Sequence, residues 1–268
     1  MGFFFVGRIM KIAVVQIENT LSIKNNFETI KNFIIKAYEN SSDIIVFPES
    51  ALTGYTSDID DVVYVKLDNE YLIKLEEISI RYNIEIFVGA NLMINDELFN
   101  SYLYIYKKLE YYHKTHLGKN EKEIFNNGSN LNLFKSKNAL IGVAICIESH
   151  IPEIFITHRL NGAKIIITPF ASPIRAGDRK EIWHKYLLAR AYDNGVFIIA
   201  NNLVGKVNKI IYSGGLLIAD QNGEILKEQY SNYKEIMFCE IKIDNKYQDV
   251  NFKKNYIVRR EPNLYRRI

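Results

Sequence analysis

Residues 10–17 form a short run rich in Ile and Val, after which Ile23, Phe27, Ile30, Phe33, Ile34 and Ala37 recur at helical spacing. That pattern predicts a strand followed by an amphipathic helix. Residues 43–47 are continuously apolar and read as a second strand. Tyr71, Leu75, Ile78 and Tyr82 mark a second helix, leading into the apolar run 84–89, the pattern of a strand covered on both faces. The rhythm to this point is β-α-β-α-β. Tyr102, Tyr104 and Tyr106 then alternate along the chain, with Tyr111 beyond a junction near Lys107 and Lys108, which predicts antiparallel strands and disfavours a purely parallel Rossmann sheet.

After a loop over 118–138 containing the turn Asn126-Asn127-Gly128, residues 139–147 read as a buried strand ending at Cys146. Pro152 suits the first turn of a helix that Asn161-Gly162 ends, and 164–168 follows as a strand. Asp178 and Glu181 form a capping-box-like start for a helix carrying Ile182, Tyr186, Ala189 and Tyr192, closed by Asn194-Gly195 before a strand over 196–200. Residues 211–218 and 224–227 flank the turn Gln221-Asn222-Gly223 and predict a hairpin. Two halves of alternating strands and helices result, with no Pro/Gly/Ser-rich linker and no legible repeat. An α/β protein of one domain is expected over residues 10–268, with 1–9 as an extension and Met10 as a possible alternative start.

Composition narrows the function. Of 268 residues, 48% are hydrophobic and 24% charged, as in a folded globular chain. The 34 Lys and Arg against 31 Asp and Glu leave a surplus of +3, too small for the phosphate neutralisation on which nucleic-acid binding depends. Residues 1–9 lack the basic start and apolar length of a secretory signal, and no window of 18 apolar residues is present. With only Cys146 and Cys239, both cysteines are expected as thiols in a cytoplasmic protein without membrane contact.

Three chemically capable residues stand where apolar runs give way to loops: Glu49, Lys114 and Cys146. Strand ends in layered α/β folds deliver side chains into shared crevices. A thiol attacks as thiolate and needs a base or a cation nearby, which Glu49 and Lys114 supply, and an ammonium can hold the oxyanion that attack on an amide builds. Taken singly, each has a plainer role: Cys146 as a small core residue, Glu49 as an acid at a helix start, Lys114 as a solvated cation. Competing constellations are weaker. His113, His116 and Glu121, completed by His150, His158 or His184, would be a metal set, but neither HExxH nor paired CxxC occurs. A Cys146–His150 dyad lacks the long separation usual in cysteine proteases. GxSxG, the P-loop and GxGxxG are absent, and no metal or organic cofactor is implied.

Context decides between these readings. Phe47-Pro48-Glu49-Ser50-Ala51-Leu52-Thr53-Gly54-Tyr55, Tyr112-His113-Lys114-Thr115-His116-Leu117, and Gly142-Val143-Ala144-Ile145-Cys146-Ile147-Glu148 with Pro152-Glu153 follow in order, with Arg190-Ala191, Asn201-Asn202 and the tail Arg259-Arg260-Glu261-Pro262-Asn263-Leu264-Tyr265 beyond. This closely resembles the nitrilase superfamily of carbon-nitrogen hydrolases. The resemblance implies a four-layer α-β-β-α sandwich, a Glu49-Lys114-Cys146 triad, and an auxiliary carboxylate at Glu121, with Glu123 as its rival. It implies Ile147 as backbone oxyanion donor. Many members carry Asp where this chain has Glu148, a longer carboxylate expected to reshape the pocket mouth.

The activity implied is hydrolysis of a small linear amide or N-carbamoyl compound through a thioester, with nitrile hydrolysis, or a silent binding protein on the same fold, as alternatives. Tyr55, Ile147, Glu148, Phe170, Ala171 and Arg175 are expected at the substrate, with Trp183 near them, and Arg175 could pair a substrate carboxylate. The basic tail, including Lys253-Lys254 and Arg266-Arg267, is expected at the interface of a homodimer.

Overall fold

The computed structural model describes residues 8–56, 58–207, 210–243 and 255–264. Residues 1–7 of the expected extension, and Lys253, Lys254, Tyr265, Arg266 and Arg267 of the basic tail, lie outside the described residues.

In the first half, β1 (Arg8–Gln16), α1 (Ile23–Glu39), β2 (Ile44–Val46), α2 (Glu70–Tyr82) and β3 (Glu85–Ile94) realise the expected β-α-β-α-β rhythm. Ser22 caps α1 by accepting from Asn25 N, and Asn83, at φ 50°, closes α2 in the left-handed region that Asn tolerates. The antiparallel strands β4 (Glu97–Tyr106) and β5 (Lys108–His113) follow, joined at Lys107. The second half repeats the plan with β6 (Phe134–Lys135), β7 (Leu140–Val143), α3 (Pro152–Leu160), β8 (Ile165–Phe170), α4 (Arg179–Asn194) and β9 (Phe197–Asn202). It continues through β10 (Val204–Val207), β11 (Ile210–Ser213), β12 (Leu216–Ala219), β13 (Ile225–Gln229) and β14 (Glu235–Ile243).

The strands make two six-stranded sheets, ordered β14-β1-β2-β3-β4-β5 and β13-β12-β9-β8-β7-β6, with β10-β11 as a separate ribbon. Within each sheet three central strands are parallel, β1-β2-β3 and β7-β8-β9. Period-2 alternation assigns the faces. Along β1, Ile12 and Val14 join the core between the sheets, while Ala13 and Val15 join the core under α1 and α2. A third core packs Ile166, Ile198 and Ala200 against Trp183 and Leu187 of α4 and Phe155 of α3. Three cores separate four layers in the order α-β-β-α. Asn201 crosses between the sheets, donating from Nδ2 to Val15 O at 2.9 Å and Val46 O at 3.0 Å.

Three local readings need correction. The strand expected over 139–147 stops at Val143, because Ala144 and Ile145 lead into a 3-10 turn, Cys146–His150. The strand expected over 211–218 is two strands, broken at Gly214 and Gly215, whose φ values of 72° and 126° turn the chain from the ribbon into the second sheet. β14 is absent from the pattern-based reading, since its outer residues are polar or half-buried, yet it pairs antiparallel with the whole of β1. Among the described residues no helix is long and apolar enough to cross a membrane. The segment Tyr256–Arg259 lies against α4, where the Tyr256 and Tyr192 hydroxyls meet at 3.0 Å.

Candidate active site

Glu49 follows β2 on a sharp bend, with Ser50 at φ 50°. The bend lies directly on β3 at Gly89, which donates to Pro48 O at 3.2 Å and accepts from Leu52 N at 2.9 Å. A Cβ on Gly89 would stand 2.3 Å from Ser50 N, so the approach requires glycine. Lys114 follows β5, its N–H donating to Asn100 O at 2.8 Å. Its own carbonyl accepts from Gly128 N at 2.8 Å, and a Cβ on Gly128 would stand 2.2 Å from His113 O. The turn read from Asn126-Asn127-Gly128 is therefore a strap across the lysine.

The two residues meet in a closed network. Lys114 and Glu49 are each 1% exposed. Lys114 Nζ donates to Glu49 Oε1 and to Glu121 Oε1, both at 2.8 Å. Asn100 Nδ2 donates to the same two oxygens, at 2.8 and 3.1 Å. The remaining oxygens take backbone donors: Ala171 N to Glu49 Oε2 at 2.8 Å and Gly118 N to Glu121 Oε2 at 2.6 Å. Glu121 is thus the carboxylate on the lysine, while Glu123, two residues on, is exposed. An ammonium has three N–H bonds, so two carboxylates leave one for a third acceptor.

Cys146 opens the 3-10 turn after β7 at φ 48°, a left-handed conformation unusual for a residue with a side chain and a frequent mark of functional sites. The first bond within the turn runs from Glu148 N to Ile145 O, so the N–H groups of Cys146 and Ile147 have no acceptor inside it. The Ala171 N–H donates to Glu49, and Glu49, Lys114 and Glu121 all act electrostatically on the Cys146 thiol, which therefore lies beside the network.

Burial sets the proton affinities. Desolvation raises Glu49 above its ordinary 4.5, more than the Lys114 ammonium lowers it. Burial acts to lower Lys114, but Glu49 and Glu121 outweigh it and hold the ammonium well above 10.5. Burial, and after it the Glu49 carboxylate, push the Cys146 thiol up to about 12, against the pull of Lys114. The thiol is therefore protonated at neutral pH, beside a carboxylate with enhanced basicity.

The other expected residues separate. Tyr55 is largely buried and approaches Glu121 Oε1 at 3.5 Å, at the limit of a hydrogen bond. Ala171 contributes its backbone N–H. Phe170 faces the outer helices instead of a pocket, its ring 5.0 Å from Trp183, and both belong to the core under α4. Arg175 is exposed on the turn Ile174–Ala176, beside a cleft it shares with Pro173, Ile210 and Ile211. Glu148 does not reach a pocket mouth: it is fully buried, and both carboxylate oxygens are occupied by protein donors.

The histidines disperse. His113 stacks on Phe99 at 4.0 Å, His150 on Tyr186 at 4.3 Å, His158 bonds Val143 O, and His184 pairs with Glu228. Among the described residues no three His, Cys, Asp or Glu side chains are grouped to hold a metal.

Sequence reasoning missed Asn100, Gly89 and Tyr212. Asn100 marked only the start of a strand, although a polar residue opening an apolar alternation was an available signal. Tyr212 is 2% exposed, and its hydroxyl has no hydrogen-bond partner among the described residues. Both Glu49 and Cys146 act on it electrostatically. Nothing in the chain pattern distinguishes it from the other strand tyrosines.

Known proteins are similar to this chain in sequence or in fold. A probable nitrilase of Schizosaccharomyces pombe is 24% identical over 96% of this chain and 97% of its own length. An N-carbamoylputrescine amidase of Oryza sativa is 25% identical over 89% of this chain and 87% of its own. An amidase from Nesterenkonia sp. superposes with a TM-score of 0.80 at 20% identity, covering 99% of this chain and 98% of that one. The family model described as carbon-nitrogen hydrolase matches residues 11–248. With the match running through both sheets and all the residues of the buried network, this chain belongs to the carbon-nitrogen hydrolase family.

Proposed function

We propose that this protein hydrolyses a small linear amide or N-carbamoyl compound through a thioester on Cys146. The observation that carries this is the buried contact of one ammonium with two carboxylates, each at 2.8 Å, beside a thiol that burial keeps protonated.

Glu49 accepts the thiol proton as sulfur attacks the amide carbon, which matches a basicity raised by burial. The third N–H of Lys114 and the N–H of Ile147 hold the oxyanion. When the intermediate collapses, the carbon–nitrogen bond breaks and Glu49 returns the proton to the departing ammonia or amine. Water then attacks the thioester, giving its proton to Glu49. The carbon–sulfur bond breaks, and the thiolate recovers that proton as the acid leaves. Glu121 and Asn100 keep Lys114 directed at the oxyanion. Asn100, bonded to both carboxylates, prevents either from swinging away when the lysine engages a third acceptor.

Relatives support the amide class. One is named a deaminated glutathione amidase, others N-carbamoylputrescine amidases, and a cysteine mutant of the Nesterenkonia amidase was solved in complex with butyramide. Arg175, exposed beside an apolar cleft, would favour an acyl group ending in a carboxylate. Self-association as a homodimer in the cytoplasm completes the proposal, and size-exclusion light scattering checks the oligomer. Ammonia release over a panel of amides, carbamoyl compounds and nitriles tests the activity. Turnover of at least one amide or carbamoyl compound above all nitriles is expected, and silence of the folded protein across the panel overturns the reading.

A further inference from the structure

Glu148 is a buried carboxylate that the proposed chemistry does not use. It is fully enclosed, and no Lys, Arg or His lies in ion-pair contact with it among the described residues. Its oxygens instead collect five donors. Oε1 accepts from Tyr112 OH at 2.7 Å, Thr115 N at 2.6 Å, Thr115 Oγ1 at 2.6 Å and His116 N at 3.2 Å. Oε2 accepts from Ile145 N at 2.7 Å. A buried carboxylate without a cation is stable only when its lone pairs are filled in this way.

The addresses of the donors carry the argument. Tyr112, Thr115 and His116 bracket Lys114, and Ile145 immediately precedes Cys146. The lysine comes from the first sheet and the cysteine from the second, so no backbone ladder relates them. We propose that Glu148 is the positioning residue that fixes the oxyanion-holding lysine against the nucleophile, by stapling the backbone on both sides of Lys114 to the backbone leading into Cys146. The inference rests on the proposed acyl chemistry but not on the identity of the amide.

An acceptor on both oxygens is required, which a carboxylate supplies and an amide does not. Tyr112 and Thr115 hydroxyls can rotate, but the N–H groups of Thr115, His116 and Ile145 cannot. A glutamine accepts on one side and donates on the other, so in either orientation its NH2 opposes a fixed backbone N–H. One end of the staple then opens while shape and volume are kept. A displacement of about 1 Å at a catalytic group lowers rates by about a hundredfold.

The test separates positioning from folding and from substrate identity. In a Cys239→Ser background, p-nitrophenyl acetate gives a burst of p-nitrophenolate that reports acyl transfer to Cys146, a step that builds an oxyanion. Iodoacetamide reports thiol ionisation, on which Lys114 acts only through its charge, because alkylation builds no oxyanion. Glu148→Gln should lower the burst rate about thirtyfold or more, with iodoacetamide alkylation within about threefold of the parent. Should that variant not fold, Tyr112→Phe/Thr115→Val removes two donors, keeps the backbone bonds, and should lower the burst about fivefold with alkylation unchanged.

An unchanged burst in folded Glu148→Gln, or equal loss of burst and alkylation, overturns the proposal, as does a parent protein with no burst at all. A parent that gives the burst but releases ammonia from no amide defeats the proposed function and leaves the staple standing.

Discussion

In the first half of the chain, β2 and β5 deliver Glu49 and Lys114, charged groups that are enclosed only because each neutralises the other. In the second half, β7 and β8 deliver the Cys146 thiol and the Ala171 N–H, uncharged groups held by backbone conformation, with Cys146 at φ 48°. Both sets come from the carboxyl ends of strands, β2, β7 and β8 in the parallel centres of the sheets and β5 at an antiparallel edge, where the chain leaves the core. The difference shows two ways of fixing a reactive group. A buried charge is fixed by its counter-charges and fails when one is removed, whereas a thiol on a strained turn is fixed by its scaffold and can be truncated without disturbing it.

Truncation of each side tests that contrast. The largest expected effect is that of Cys146→Ala, which should abolish ammonia release, a drop of more than about ten-thousand-fold, with circular dichroism and melting temperature unchanged. A melting temperature that falls with the activity would contradict the view that the turn is held by backbone alone.

Glu49→Gln should lower kcat about a hundred- to ten-thousand-fold. In the parent, kcat/KM should rise with pH through a midpoint above 4.5, because Glu49 must be ionised to accept the proton and burial raises its affinity for it. The variant should lose that acid limb, and iodoacetamide labelling of Cys146 should follow the same midpoint in the parent. A limb near pH 12 instead would mean that the thiol ionises unaided.

Lys114→Ala leaves two enclosed carboxylates without a cation, and unfolding by urea at neutral pH should show about 3–5 kcal/mol lost. The folded-state pKa of Lys114 is raised, so its contribution is complete below 10.5 and is lost only as pH climbs toward the folded value. The folded-state pKa of Glu49 is also raised, so the folded state binds its proton more tightly. The deficit of the variant should therefore narrow in acid, where the carboxylates protonate, and a deficit constant with pH would argue against charge as its origin.

Gly89→Ala should cost about 1–3 kcal/mol and lower kcat more than it raises KM, since the new methyl drives into the Glu49 bend. At the small end, Glu123→Gln should stay within about twofold of the parent in both turnover and stability, because its side chain is exposed while that of Glu121 holds the lysine. A larger loss would exchange their roles.

The regular elements were legible because their cause is local. Ile23, Phe27, Ile30 and Ile34 place one face of α1 on the core, and the apolar run at 84–89 announces a strand covered on both faces. β14 escaped notice because its place is set by pairing with β1, more than 200 residues earlier, and its own pattern is mixed. Phe170 was expected at the substrate together with Ala171. Alternation along β8 turns its ring to Trp183 instead. Asn100 and Glu148 stood out as polar residues beside apolar stretches, but their positioning roles were not legible, because the partners that define them lie on distant segments and a polar residue does not state its partner.

By itself the sequence determined the α/β class, the single-domain organisation, the strand ends at which Glu49 and Lys114 emerge, and, through its ordered motifs, the family. Periodicity and short motifs depend on neighbours within a few turns of chain, so one dimension suffices to read them. Tertiary structure alone decided which of two nearby carboxylates reaches the lysine, that burial outweighs the ammonium in setting the proton affinity of Glu49, and that Glu148 ties one sheet to the other. Each of these is a balance of desolvation against contacts made across the core, and neither side of that balance exists until the two sheets have packed.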